Sequence, residues 1–170
     1  GNVLAEGSGD TYSHPNSAAP AGSVSWQIPD DFREPFLLRV CLNAGNAPVH
    51  RNDYLFSSAP PPIFGLLTRL KSASLAVKAR QQDAGIRVTV TNVGRTLALG
   101  LTIQRPDGHW LYGADNYRHL LPDESWAADF IPATREGFYM ALDNRTEQNE
   151  IAISAWNTPT RHVRCASLMP

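Results

Sequence analysis

Through the second half of the chain, apolar and polar residues alternate with a period of two, and no stretch holds the spacing of a convincing amphipathic helix. Leu75, Val77 and Ala79 share a face of the run Ser74 to Gln81, and Ile86, Val88 and Val90 share a face of Ile86 to Asn92. Leu97, Leu99, Leu101 and Ile103 fall on one side of Leu97 to Ile103, and Trp126, Ala128 and Phe130 fall together in Ser125 to Ile131. Turn residues separate the runs: Asp83-Ala84-Gly85, Asn92-Val93-Gly94 and Arg105-Pro106-Asp107-Gly108. Strand-like segments at His109 to Tyr112, Gly137 to Leu142, Glu150 to Trp156 and Arg161 to Ser167 bring the total to about seven or eight strands in roughly 105 residues, the size of an immunoglobulin-like β-sandwich. Ile63 to Lys71 has room for a helical turn or two.

The first half is sparser. Residues 7–23 are rich in Gly, Ser, Ala and Pro and read as a flexible arm. Val24 to Ile28 is a short β-like run stopped by Pro29-Asp30-Asp31. Phe36, Leu38, Val40 and Leu42 alternate against Leu37, Arg39, Cys41 and Asn43; with a turn at Asn43-Ala44-Gly45-Asn46 and a return strand from Val49 to Phe56, this predicts a hairpin. Three consecutive prolines, Pro60 to Pro62, cannot donate to a sheet and mark a linker. The expected organisation is an arm over 1–23, a partial sandwich of a hairpin and a short strand over 24–59, a Pro-rich linker over 60–72, and an all-β, immunoglobulin-like sandwich over 73–170. About three strands cannot close a sandwich. The face Phe36-Leu38-Val40-Leu42 is therefore expected to be covered, by self-association through 24–56 or by packing on the second domain.

Composition narrows the function classes. Lys and Arg total 15 against 16 for Asp and Glu, without a basic block, which argues against nucleic acid. No apolar run reaches the roughly 18 residues of a membrane span, and Gly1 to Asp10 lacks the basic and apolar regions of a signal peptide. A soluble chain is expected, periplasmic or secreted if a presequence was removed before Gly1. Cys41 and Cys165 lie far from any metal-ligand spacing, the five histidines show no pairing at i,i+2 or i,i+4, and GxSxG is absent, so neither a metal, a cofactor nor a serine nucleophile is expected. Asn144-Arg145-Thr146 matches a glycosylation sequon and is read as chance.

Specific motifs lie inside this pattern. The run from Ile86 to Phe130 carries TNVGRTLAL as strand, turn and strand, then GADNYRHLLPDES, then an alternating strand. It resembles the C-terminal immunoglobulin-like domain of family 2 glycoside hydrolases of the β-mannosidase and exo-β-glucosaminidase type, where the middle motif is similar to SDNYxSLLPGES. Pro35 to Phe56 resembles the last hairpin of the preceding sandwich domain in those enzymes, with Asn52-Asp53-Tyr54-Leu55 near its end. The likeness spans roughly residues 24–157. It departs at Asp123, where the family usually has Gly, and at Leu55, where Trp is common. The resemblance implies a non-catalytic accessory region whose partner is the catalytic barrel of a parent retaining O-glycosidase.

Retaining hydrolysis needs two carboxyl groups roughly 5–5.5 Å apart, which the family carries on a barrel of about 250 residues. Asp115, Asp123, Glu124, Glu136 and Glu150 are accordingly read as turn-forming and solvating groups, and no catalytic residue is assigned. Candidates for sugar or interdomain contact are Trp110, Tyr112, Asp115, Asn116, Tyr117 and Trp156, because aromatic faces stack on pyranose rings and short polar side chains order connections. Tyr117 could instead plug the sandwich end. Trp126 shares its face with Ala128 and Phe130 and is assigned to the core; Trp156 falls opposite Ile151 and Ile153 and is the candidate for exposure. The alternatives to the accessory reading are an independent carbohydrate-binding module and a protein-interaction module of the same fold.

Overall fold

The computed structural model of the protein describes residues 3–12, 14, 15, 17, 18, 20, 22–57, 65, 67–82, 85–106, 111–113, 116–132 and 150–166. Two compact units form, Asn2–Leu66 and Leu67–Pro170.

The first unit holds one antiparallel hairpin, β1 (Pro35–Ala44) and β2 (Ala47–Ser57). Gly45 takes φ +60° at the tight turn, a left-handed value that L side chains rarely adopt. One face carries Phe36, Leu38, Val40 and Leu42 opposite Phe56, Tyr54, Asn52 and His50. Phe36 stacks on Phe56 with ring centroids 5.5 Å apart, and Trp26 and Phe32 approach Phe36 edge-on. Beyond that aromatic end the face is open, with Val40, Leu42 and Tyr54 exposed. On the other face Arg39 clasps Asp53 through two hydrogen bonds of 2.8 and 3.1 Å, with Arg51 at 3.4 Å. The ion-pair side is thus the more covered one, the reverse of a simple amphipathic hairpin. Val24 to Ile28 forms no strand. Trp26 instead packs on Phe36, so two strands stand where about three are expected.

The second unit is a β-sandwich. Its strands are β3 (Leu75–Gln82), β4 (Gly85–Asn92), β5 (Ala98–Gln104), β6 (Leu111–Gly113), β7 (Arg118–Leu120), β8 (Ser125–Pro132), β9 (Glu150–Ala155) and β10 (Thr158–Arg164). One sheet has the order β3-β4-β8-β6 and the other β10-β9-β5-β7, every pair antiparallel. Apart from β7, which follows β6 in the chain, this is the immunoglobulin-like order. A short turn around Leu67 leads into it, with Leu67 buried.

Residues from both sheets close the core: Leu75, Ala79, Val88, Val90, Trp126, Ala128 and Phe130 from one, and Ala98, Leu101, Ile103, Leu120, Ile151 and Ile153 from the other. Trp126 meets Phe130 edge-on at 6.0 Å, the preferred arrangement of two aromatic quadrupoles. On the outer face of the first sheet Arg87 pairs with Asp129 at 2.9 Å and Thr91 with Ser125 at 2.7 Å. The alternation read for β3, β4 and β8 therefore holds in phase.

In β5 the phase breaks. Gly100 sits at φ +62°, and the pairing with β7 shifts between Ala98 and Leu101. One extra residue turns the strand over, so the core receives Ala98, Leu101 and Ile103, while Leu99 is buried outside the central cluster. The side assigned to Leu97, Leu99, Leu101 and Ile103 is corrected accordingly. Further corrections concern boundaries: β9 ends at Ala155, β10 begins at Thr158, and β7 is an added strand, while β6 is described over Leu111–Gly113 and His109 and Trp110 lie outside the described residues. Gly137 to Leu142 lies outside the described residues.

The chain after β10 returns to the first sheet. Ala166 makes a parallel bridge to Arg80, accepting from Gln81 N–H at 3.0 Å and donating to Ala79 C=O at 2.9 Å. Cys165 just before it is buried in the core and Cys41 is exposed; neither forms a disulfide. Burial first, and the nearby Glu150 carboxylate second, push the Cys165 thiol above its ordinary range. Among the described residues no helix is long and apolar enough to cross a membrane.

Candidate functional site

One end of the sandwich gathers its best-anchored connections. The register places the start of β3, the end of β4, the start of β5, the end of β7, the start of β8 and the β9–β10 turn at that same end. Two asparagines, one from each sheet, hold it together.

Asn92, the last residue of β4, is fully buried. Its amide donates to Thr96 C=O at 2.8 Å and Leu120 C=O at 3.0 Å, and its Oδ1 accepts from Gly94 N–H at 3.1 Å. Its backbone N–H reaches Glu124 C=O, and its own C=O accepts from Asp123 N–H. Asn157, in the turn between β9 and β10, donates to Lys71 C=O at 2.9 Å and Leu97 C=O at 2.7 Å and accepts from Leu99 N–H at 3.1 Å. The successive carbonyls of Thr96 and Leu97 are thus gripped from the two sheets. Buried carbonyls need such partners, because leaving one unpaired costs roughly 1–3 kcal/mol.

Two-residue hairpin turns normally require positive φ, yet Trp156 and Asn157 are absent from the positive-φ residues. Tertiary bonds take over that role: Trp156 N–H donates to Leu99 C=O at 2.7 Å, Ala73 N–H donates to Asn157 C=O at 3.1 Å, and the pairing shifts between Thr158 and Arg161. Trp156 is presented at the tip with 58% of its surface exposed. Asp123, at φ +63°, turns the chain into β8 with Glu124, whose carboxylate accepts from Leu121 N–H at 2.9 Å.

The remaining candidates divide. Asn116 acts as a substitute strand residue, its Oδ1 accepting from Ile103 N–H at 2.9 Å and its Nδ2 donating to Ile103 C=O at 3.3 Å. Tyr117 is 62% exposed at φ +70° and does not plug the sandwich end; its N–H donates to Leu101 C=O at 2.7 Å. His119 Nδ1 accepts from Gly100 N–H at 2.9 Å across the β5 bulge. Tyr112 contributes backbone pairing to Ile131, while Trp110 and Asp115 lie outside the described residues, as does Glu136. Trp156 and Tyr117 are exposed, but they belong to different connections, and Asn116 is occupied by the backbone of β5. Glu150 and His162 stand 3.9 Å apart on adjacent strands, both partly exposed. Among the described residues no group of three His, Cys, Asp or Glu side chains could hold a metal ion.

A left-handed backbone costs an L residue roughly 1–2 kcal/mol, and asparagine tolerates it better than tyrosine. Tyr117→Asn is therefore expected to stabilise the sandwich by about 1 kcal/mol, raising Tm by about 4–8 °C for a domain of this size. A melting temperature that falls would mean that the tyrosine ring contributes packing its exposure does not suggest.

Asn92 and Asn157 are the residues that sequence reasoning missed as determinants of this end. Asn92-Val93-Gly94 was legible as a turn; the burial of the asparagine was not. Comparison with protein-family models, with curated proteins and with solved structures finds no match to the chain.

Proposed function

We propose that the chain is a non-catalytic accessory region of a family 2 glycoside hydrolase of the β-mannosidase or exo-β-glucosaminidase type, whose sandwich packs against the catalytic barrel of the parent enzyme. The observation that carries this reading is the fit of the shared motifs to the sandwich. TNVGRTLAL supplies the end of β4, the Asn92-anchored connection and the start of β5. In the second motif Asn116 completes the edge of β5, and Asp123 occupies a left-handed position where the resembling family has Gly, the residue such a backbone favours. The motif residues are thus those on which the connections depend, as a motif kept for architecture rather than chemistry would be.

Hydrolysis would then belong to the barrel. Purified chain is expected to release no aryl leaving group from aryl β-mannosides or aryl β-glucosaminides. Turnover that survives clean purification would overturn the assignment. A second observable is the coding sequence upstream of Gly1, where a family 2 barrel is expected and an unrelated protein would count against the parentage.

A further inference from the structure

The outward positions of β3, β4 and β8 carry mostly small or hydroxylated side chains, Ala76, Thr91, Ser125 and Ala127 among them, but one place concentrates charge. Arg80 of β3 and Arg87 of β4 are direct cross-strand partners, so their Cβ atoms stand about 4.5–5.5 Å apart on one face. Lys78 lies two positions away on the same side of β3. Like charges placed opposite each other destabilise a sheet. Among the described residues the single carboxylate at the outward positions of these three strands is Asp129, opposite Arg87 on β8. Both of its oxygens take the same nitrogen, Nη1 of Arg87, at 3.1 and 2.9 Å. The Nε and Nη2 donors of Arg87, and the whole guanidinium of Arg80, have no protein partner among the described residues. From this arrangement we infer that the Arg80–Arg87 pair is a binding site for a tetrahedral dianion of the phosphate type, with Lys78 as the flanking cation. The site goes beyond the accessory reading and does not depend on it.

Charge and shape select that ligand. Lys78, Arg80 and Arg87 against Asp129 leave two positive charges uncompensated, the charge of a phosphate monoester above its second pKa of about 6. A planar carboxylate fills one guanidinium fork at most, and Asp129 takes only one nitrogen of it. A tetrahedral oxyanion directs its oxygens to two forks at once, the geometry for which arginine is suited and lysine is not. Access is open on the Lys78 side, because Lys78 stands level with the short side chains of Thr89 and Ala127 across the sheet. The scaffold is preorganised: β4 is paired on both edges, to β3 and to β8, so little backbone freedom remains to be lost on binding. A bound dianion also relieves the repulsion between the two guanidinium groups, which links occupancy of the site to stability of the sheet.

The test uses the full chain at constant ionic strength and about pH 7.5, where phosphate esters are dianionic. The probes are inorganic phosphate, glycerol 3-phosphate, acetate and chloride, and the arginine Nε–H resonances, assigned from the variants, are followed by NMR. Both phosphates are expected to shift Arg80 and Arg87 saturably at millimolar concentration, and the tighter of the two tells whether a free or an esterified phosphate fits. Acetate and chloride are expected to leave these resonances in place. Arg80→Gln and Arg87→Gln are each expected to weaken phosphate binding about fivefold or more, since each removes a charged fork. Asp129→Asn is expected to tighten it severalfold by freeing Nη1 of Arg87. Arg95→Gln, which removes the same charge from the connection between β4 and β5, is expected to change nothing. Phosphate is expected to raise Tm more than chloride does, and Arg80→Gln to abolish that increment. If Arg87→Gln unfolds through loss of its ion pair, Arg80→Gln and Lys78→Gln with the pair intact are each expected to weaken binding severalfold. Equal shifts with chloride and phosphate, acetate binding as tight as phosphate, or binding that survives Arg80→Gln overturns the proposal.

Discussion

Phe130→Ala is expected to cost about 3–5 kcal/mol, the range for truncating a buried aromatic residue. Phe130 leads the fully buried side chains by volume, and it meets Trp126 of the same strand edge-to-face in the core. The cost combines lost transfer free energy with the cavity left among residues of both layers, since a close-packed interior relaxes only in part. A sandwich with a typical margin of about 5–15 kcal/mol would lose a large share of it. Urea unfolding should show a lower midpoint at unchanged slope. A loss below about 1 kcal/mol would mean that the layers collapse onto the void and that the aromatic ring is not the centre of the core.

Asn92→Ala is expected to be comparably damaging through a different mechanism. It removes almost no apolar burial. It removes a donor from Leu120 C=O in the interior, releases Thr96 C=O, and takes the acceptor from Gly94 N–H. At roughly 1–3 kcal/mol for each buried group left unsatisfied, and less where water can enter, the loss should be about 3–4 kcal/mol. Amide exchange gives the sharper readout: opening should be enhanced over 93–97 and 121–124 while Val88 and Ile153 keep their protection. If exchange rises uniformly instead, Asn92 acts on global stability and not on the connections it bonds.

The inward faces of β3, β4 and β8 were legible because each is a regular strand, where parity alone assigns the side chains. Parity failed in β5, since the Gly100 bulge adds a residue and exchanges the sides. β7 was invisible for another reason. Three residues are too few to display a period, and its place beside β5 is reinforced by His119 and Asn116, whose partners are distant in sequence. Val24 to Ile28 has strand composition, but Trp26 finds its contact on Phe36 without pairing its backbone in a strand.

The site follows the same division. Exposure at Trp156 was readable from its parity against Ile151 and Ile153, although it sits in a turn and not at the end of the strand. The structural work of Asn116 depends on Ile103, and that of Asn157 on Lys71, Leu97 and Leu99. No local pattern announces such pairs. The gathering of Val93, Leu121 and Trp156 at one end is a property of topology, visible only after the strand order is known.

The parallel seam between Ala166 and β3 has a mechanical consequence. β3 is the first strand of the sandwich and Ala166 follows its last, so tension applied along the polypeptide pulls these segments in opposite directions, parallel to their length. The bonds to Ala79 and Gln81 are then loaded in shear and must yield together instead of peeling one at a time. That geometry makes the seam a latch against stretching of the domain.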